Sequence, residues 1–253
     1  MFVDTHCHLN VPSLILQLPE LLQRAQAAGV TRFVLPGVAP SCWDDLVAVA
    51  DRDSRIFAAP GIHPLMAMGF NEDTGAKLER LACHAVAIGE IGLDYSDDTV
   101  PRLIQQTAFR MQLRLALRCG LPVILHCRRA FADLLQILRE ENVAKVGGVM
   151  HAFSGSPETA QECIRLGLHI GVAGPVTYPN AVRPLEVVRR IPLEHLLLES
   201  DAPDLTPVPH RGSLNEPAFL LETARRMAAI KGISLEQIAA VTTTNARQLF
   251  GLP

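Results

Sequence analysis

The sequence predicts an α/β fold, a TIM-type (β/α)8 barrel, from three observations. Short apolar, β-branched segments alternate with amphipathic helical patterns along the chain, which is typical of parallel strands joined by helices. The length of 253 residues fits one barrel of this type, which needs roughly 250. Polar residues able to bind metals follow strands one, four, five, six and eight, and barrels carry their chemistry at these strand ends.

The strands are predicted from short, nearly continuous apolar runs. Parallel strands are covered on both faces, so they are rich in Val, Ile and Leu and lack strict alternation with polar residues. The predicted strands are residues 2–3, 32–35, 56–60, 85–88, 123–125, 145–150, 169–172 and 196–198.

The helices are predicted from apolar residues at helical spacing between these runs. Gly29 and Gly120 follow two of the patterns and indicate helix ends, and Pro157 indicates a helix start. The predicted helices are residues 19–28, 42–52, 74–83, 102–119, 130–141, 157–166, 182–190 and 217–230, with two further short helices in the tail 235–250.

The pattern predicts one domain over residues 1–253, because it contains no linker, low-complexity tract or internal sequence repeat. A doubly wound open sheet is the alternative. Such a sheet places its ligands at one or two switch points. Polar residues after five of the eight predicted strands favour the barrel.

The composition of the chain argues against some classes of function. With 49% hydrophobic and 19% charged residues, the chain can bury a core, and its net charge of −3 argues against holding a polyanion by charge alone. Aromatic residues make up 5%, too few for a stacking platform for single strands. The six cysteines form no C-x-x-C pair, and we find neither a signal peptide nor an apolar stretch of roughly 18–20 residues. We therefore expect a cytoplasmic protein.

Five polar segments at strand ends carry the chemistry. His6 and His8 are two residues apart, so both side chains point to one face of the chain, and Asp4 lies on the same face. A single histidine at such a position is more often an ordinary core residue than a ligand. The combination of imidazoles and carboxylates at several strand ends predicts a metal site. The segments are residues 4–8, 89–94, 126–128, 151–154 and 199–203.

Six ligands exceed the needs of one catalytic ion, which usually takes three protein ligands and a water. We therefore predict two divalent ions that share a carboxylate and activate a water together. Mixed imidazole and carboxylate ligands fit Zn, Mn or Fe and do not exclude Mg. The assignment is His6, His8 and Asp201 to one ion, His126 and His151 to the other, and Glu90 to both.

These residues resemble the TatD family of metal-dependent deoxyribonucleases, which belongs to the amidohydrolase-like barrels, and within it the bacterial YjjV-like branch. The resemblance spans nearly the whole chain. The matching segments are residues 4–8, 61–64, 89–95, 121–128, 151–155, 199–203, 211–217 and 245–251.

The resemblance implies the same six metal ligands, and it implies that His63 lines the substrate cleft. It also implies hydrolysis of DNA phosphodiesters with divalent cations. Arg128, Arg211 and Asn215 are further candidates for substrate contacts. An ion pair at the rim is an equal alternative for Arg128, and a role within the loop is an equal alternative for Arg211 and Asn215.

The leading hypothesis is a phosphodiesterase for DNA or nucleotide fragments, in which Asp201 accepts or relays a proton and Glu90 holds the ions. The second is a hydrolase of carboxylic esters, lactones or amides that uses the same activated water, since fold does not fix function. A bridging lysine would favour the second, and Glu90 stands there instead. The third is a metal-stabilised binding partner, which would keep its biological role without Glu90.

Overall fold

The structure is a computed structural model that describes residues 1–96 and 98–253, and strands and helices alternate along these residues. The strands are β1 (Phe2–Asp4), β2 (Val30–Pro36), β3 (Ile56–Ala59), β4 (Ile88–Asp94), β5 (Val123–Arg128), β6 (Gly148–Met150), β7 (Leu168–Val172) and β8 (Leu196–Leu198). The helices are α1 (Pro12–Ile15), α2 (Leu18–Ala27), α3 (Trp43–Arg52), α4 (Glu72–Ala82), α5 (Arg102–Cys119), α6 (Phe131–Glu140), α7 (Pro157–Arg165), α8 (Arg183–Arg190), α9 (Leu220–Lys231) and α10 (Leu235–Phe250).

The chain divides into two compact units, and each contains more than one stretch of sequence. The terminal unit comprises Met1–Leu35, Ala152–Gln161 and Ile170–Pro253. The central unit comprises Pro36–His151 and Glu162–His169. The single domain over residues 1–253 stays a prediction.

In the terminal unit, β1 pairs in parallel with β2, and β7 pairs in parallel with β8. Helix α10 packs on β1 and β8, and α9 also packs on β8. The backbone N–H of Thr5 donates to the carbonyl oxygen of Leu198 over 3.1 Å, which joins the end of β1 to the end of β8. The residues that follow these two strands therefore lie side by side.

In the central unit, β4, β5 and β6 pair in parallel in that order. Helix α5 packs on β4, and α6 packs on β5. The N–H of Gly89 donates to the carbonyl oxygen of Pro60 (3.1 Å), and the N–H of His151 donates to that of Leu125 (3.0 Å). These bonds place the start of β4 beside the end of β3, and the residue after β6 beside the middle of β5.

The fourth strand differs from its prediction. It runs from Ile88 to Asp94, so Glu90 lies within the strand and not in a turn after it. Gly92 has a φ of +144° and pairs with His126, and a Cβ placed on it would lie 2.0 Å from the His126 carbonyl oxygen. The glycine therefore permits a close approach of β4 and β5.

The tail also differs from its prediction, because residues 235–250 form one helix, α10, and not two. The run of threonines at its centre does not interrupt it. The hydroxyl groups of Thr242 and Thr244 donate to the carbonyl oxygens of Ile238 and Ala240, both over 2.8 Å. Among the described residues, no helix combines the length and apolar character needed to span a membrane.

Candidate metal centre

Three of the predicted ligands form a tight group in the terminal unit. The Nε2 atoms of His6 and His8 are 3.2 Å apart. The Oδ1 atom of Asp201 lies 3.6 Å from Nε2 of His6 and 3.7 Å from Nε2 of His8. His6 is buried, and 14% of the Asp201 side chain is exposed.

The spacing of these three atoms fits a shared metal ion. Ligands about 2.0–2.1 Å from a tetrahedral ion lie about 3.3–3.4 Å from one another. The three observed separations fall close to this value. Two imidazole nitrogens and one carboxylate oxygen also suit Zn²⁺ or another divalent transition metal. The group therefore fits the predicted ion.

Backbone bonds between the segments after β1 and β8 hold the three ligands in place. The N–H of Asp201 donates to the carbonyl oxygen of His6 (2.9 Å), and the N–H of His8 donates to that of Ala202 (2.7 Å). Asp201 has a φ of +58°, which a non-glycine residue rarely adopts. Such strained conformations cluster at functional sites.

Asp4 joins the segments that follow β1 and β8 through hydrogen bonds. Its Oδ1 atom accepts the backbone N–H of Ser200 (2.9 Å), and its Oδ2 atom accepts the Ser200 hydroxyl (2.6 Å). It also accepts the backbone N–H of His6 at 3.3 Å. Complete burial raises the pKa of Asp4 to about 7, although the bonds from Ser200 oppose the shift. Asp4 therefore positions His6 through its backbone.

Asn215 supports the segment that contains Asp201. Asn215 is fully buried, and its side-chain amide donates to the carbonyl oxygens of Ser200 (2.7 Å) and Asp204 (2.6 Å). Its Oδ1 atom accepts the N–H of Glu216 (2.9 Å). Asn215 therefore stabilises the backbone of the loop, and its contact with substrate stays a prediction.

The Asn215→Ala variant is expected to unfold more easily, by about 1–3 kcal/mol, because the buried carbonyl group of Ser200 and the carbonyl group of Asp204 lose their donor. Urea denaturation followed by circular dichroism measures this loss. The matched control is Ser213→Ala, which removes an exposed hydroxyl on the same loop and should change stability by less than about 0.5 kcal/mol. Equal stability of the two variants would contradict the proposed support.

The central unit gathers a second group around Glu90, which is buried. Its Oε1 atom lies 2.8 Å from Nδ1 of His126, 3.8 Å from Nε2 of His151 and 3.9 Å from Nε2 of His63. His63, Glu90 and His126 each offer a ligand atom within 4.8 Å of the others. The imidazoles of His126 and His151 beside the Glu90 carboxylate are again a donor set that suits a transition-metal ion. The sharing of Glu90 between two ions stays a prediction.

His126 contacts a second carboxylate that the sequence analysis did not assign. Its Nε2 atom lies 3.1 Å from Oδ2 of Asp94, which is buried. Burial lowers the pKa of His126, but the bonds to Asp94 and Glu90 outweigh this effect and raise the pKa to about 9. Burial would raise the pKa of Asp94, yet its bonds to His126 and Ser96 hold it well below its usual range.

The sequence contained a signal for Asp94. Glu90, Gly92 and Asp94 are two residues apart in succession, so in an extended strand they share one face. The predicted strand ended at residue 88, so the shared face of these three residues was not part of the prediction. The glycine between the two acids leaves room for the approach of His126.

His63 is arranged as a hydrogen-bond donor. Its Nδ1 atom accepts the backbone N–H of Leu65 (3.2 Å), so the neutral ring carries its proton on Nε2. Burial lowers the pKa of His63 to about 4, although the charge of Glu90 opposes the shift. A neutral ring with Nε2–H directed at the Glu90 group can donate to a substrate oxygen.

The two predicted arginines lie further out. Arg128 is exposed at the end of β5, and its carbonyl oxygen accepts the N–H of Tyr95 (2.9 Å). The guanidinium group of Arg211 stacks on the ring of Tyr178 at 4.1 Å, beside a cavity of about 450 Å³ in the terminal unit. Both side chains are accessible, and their contact with substrate stays a prediction.

The chain is similar along nearly its whole length to a known family and to proteins described as metal-dependent hydrolases. The family model for TatD-related DNases matches residues 3–251. The uncharacterized metal-dependent hydrolase YabD of Bacillus subtilis is 42% identical, with 99% of each chain covered. The uncharacterized metal-dependent hydrolase YjjV of Escherichia coli is 36% identical, with 100% of this chain and 98% of YjjV covered.

Solved structures show the same fold. The crystal structure of the TatD homologue YjjV from Escherichia coli matches with a TM-score of 0.95 and 34% identity, covering 100% of this chain and 98% of that one. An organophosphorus hydrolase from Deinococcus radiodurans matches with a TM-score of 0.69 and 16% identity, over 99% and 93% of the two chains. These likenesses and the parallel strands confirm the predicted α/β fold class of the TIM type.

Proposed function

The chain belongs to the family of TatD-related DNases, and on that premise we propose that it is a phosphodiesterase that hydrolyses DNA or nucleotide fragments. Its relatives support the coarser description, a metal-dependent hydrolase. The finer proposal concerns the bond that is cut and the number of metal ions.

The observation that carries the proposal is the presence of a metal-type donor group in each unit. We propose that His6, His8 and Asp201 hold one divalent ion, and that Glu90, His126 and His151 hold another. Zn, Mn and Mg are the candidate metals. When bound, such ions lower the pKa of water and stabilise charge on the oxygens of a phosphoryl group.

The protein side chains supply positioning and proton transfer. Asp201 keeps 14% of its side chain exposed, so it can accept a proton from the attacking water and pass it to solvent. His63 donates its Nε2–H to a phosphoryl oxygen, because its Nδ1 atom is committed to Leu65. Arg128 and Arg211 are accessible cations that suit the outer phosphates of a fragment.

The cytoplasmic location is part of the same proposal. The six cysteines are free thiols, and Cys7 and Cys163 are buried. Free thiols of this kind suit a reducing compartment.

The proposal is tested with a substrate panel of single-stranded DNA, RNA, bis-p-nitrophenyl phosphate and simple carboxylic esters. Each substrate is assayed after chelation and then with added Mg²⁺, Mn²⁺ or Zn²⁺. We expect chelation to abolish phosphodiester turnover and one of the metals to restore it, because the proposal assigns the activation of water to the bound ions. Protein purified without chelator should contain up to two ions per chain.

The Glu90→Gln variant is the control for contaminating nucleases, since its preparation should show no metal-restored turnover. Turnover of esters without turnover of any phosphodiester would refute the proposal and favour a carboxylic ester, lactone or amide hydrolase. Phosphodiester turnover that survives both chelation and Glu90→Gln would refute any role of the metal centre.

A further inference from the structure

We propose that Asp94 is a positioning residue that fixes the tautomer of His126 so that Nδ1 is free to bind metal. The inference rests on the proposed role of His126 as a ligand. Neither the family comparison nor the sequence pattern assigned Asp94 a role. The inference concerns which ring nitrogen of His126 carries the proton.

The two nitrogens of His126 face different carboxylates. Nδ1 lies 2.8 Å from Oε1 of Glu90, and Nε2 lies 3.1 Å from Oδ2 of Asp94. A neutral imidazole has one N–H donor and one lone pair, whereas a carboxylate can only accept. If Nδ1 gave its lone pair to a metal ion, the single ring proton would lie on Nε2, where Asp94 accepts it. Metal-binding histidines commonly depend on an outer carboxylate in this way.

Asp94 is itself held by a buried framework. The backbone N–H of Asp94 donates to Oε1 of Gln105, and Nε2 of Gln105 donates to the carbonyl oxygen of Asp94, both over 2.8 Å. The same Gln105 nitrogen donates to the carbonyl oxygen of Val100 (3.0 Å). Asp94 and Gln105 are each 1% exposed. The carboxylate consequently has little freedom to turn away from His126.

The second oxygen of Asp94 determines what an amide would do in its place. Oδ1 accepts the backbone N–H of Ser96 over 2.8 Å, and this position requires an acceptor. In Asp94→Asn the amide oxygen is therefore held by Ser96, and the NH2 group faces Nε2 of His126. That group donates, so Nε2 must accept and the ring proton moves to Nδ1. The replacement preserves size and reverses the tautomer.

The test compares Asp94→Asn with Asp94→Ala. We expect Asp94→Asn to weaken binding of Zn²⁺ at this centre by about 10–100-fold, as loss of an outer partner typically does. Alanine removes the partner but leaves both tautomers accessible, so its effect should be smaller. Competition with a chromophoric chelator measures the affinity. Nitrogen NMR of the metal-free protein, at a pH above the raised pKa of His126, should show a larger share of Nδ1–H in Asp94→Asn than in the wild type.

A packing role predicts the opposite order, because asparagine fills the same space and alanine does not. Wild-type affinity and an Nε2–H ring in Asp94→Asn would overturn the inference. The matched control is Asp133→Asn, which removes a nearby half-buried carboxylate that contacts Tyr95 and Gln106 instead of His126, and should leave affinity unchanged. The affinity and NMR measurements need no substrate, so they can succeed where the phosphodiesterase proposal fails.

Discussion

The His126→Ala variant is expected to lose more than about 100-fold in phosphodiester turnover, because loss of a ligand should exceed the 10–100-fold cost of losing its outer partner. Of the three imidazoles described around Glu90 in the central unit, that of His126 lies nearest, at 2.8 Å. His151 and His63 lie at 3.8 and 3.9 Å from the same oxygen, so neither can replace its contact without moving. Turnover of bis-p-nitrophenyl phosphate at saturating metal measures the loss.

The variant is expected to remain folded, since the His126 side chain is 19% exposed and makes polar contacts. Its far-ultraviolet circular dichroism should match that of the wild type, and its metal content should fall by one ion. His84→Ala removes an exposed imidazole in the same unit and serves as the control, with unchanged turnover. Near-normal turnover in His126→Ala would rule out this residue as an essential ligand.

The positions of the ligands could be predicted because they depend on strand ends. Alternation predicted that His6 and His8 share one face, and although both residues lie beyond the end of β1, their Nε2 atoms are 3.2 Å apart. The strands β4, β5 and β6 are parallel neighbours, which explains why Glu90, His126 and His151 converge in the central unit, although Glu90 and His126 lie within their strands. The apolar runs that predict the strands are visible in the sequence, and the convergence of the ligands follows from the arrangement of those strands.

The outer partners could not be predicted in the same way. The contact of Asn215 with Ser200 depends on the path of a loop, and no periodic pattern fixes that path. The contact of Asp94 with His126 depends on the length of β4. This strand continues for six residues beyond Ile88, where the predicted strand ended, and it contains two glycines. Glycine normally weakens a strand, so the sequence favoured an early end. Local propensity was overridden there by the close approach of β5.

The Gly92→Ala variant tests that close approach and is expected to lose more than about 3 kcal/mol of stability, because a backbone atom cannot move aside as a flexible side chain can. The added Cβ would lie 2.0 Å from the carbonyl oxygen of His126 and 2.9 Å from its carbonyl carbon. The φ of +144° is also unfavourable for any residue with a side chain. For a chain of this length the melting temperature should fall by more than about 6–12 °C.

The control separates the clash from the backbone angle. Gly120 ends α5 with a φ of +67°, and no atom lies within 4 Å of a Cβ placed on it. Gly120→Ala should therefore show only the cost of the left-handed conformation, about 1–2 kcal/mol. Thermal unfolding of both variants, followed by circular dichroism, gives the difference. If Gly92→Ala were no less stable than Gly120→Ala, β4 and β5 could not approach as closely as the structure places them, and the contact between His126 and Asp94 would lose its structural basis.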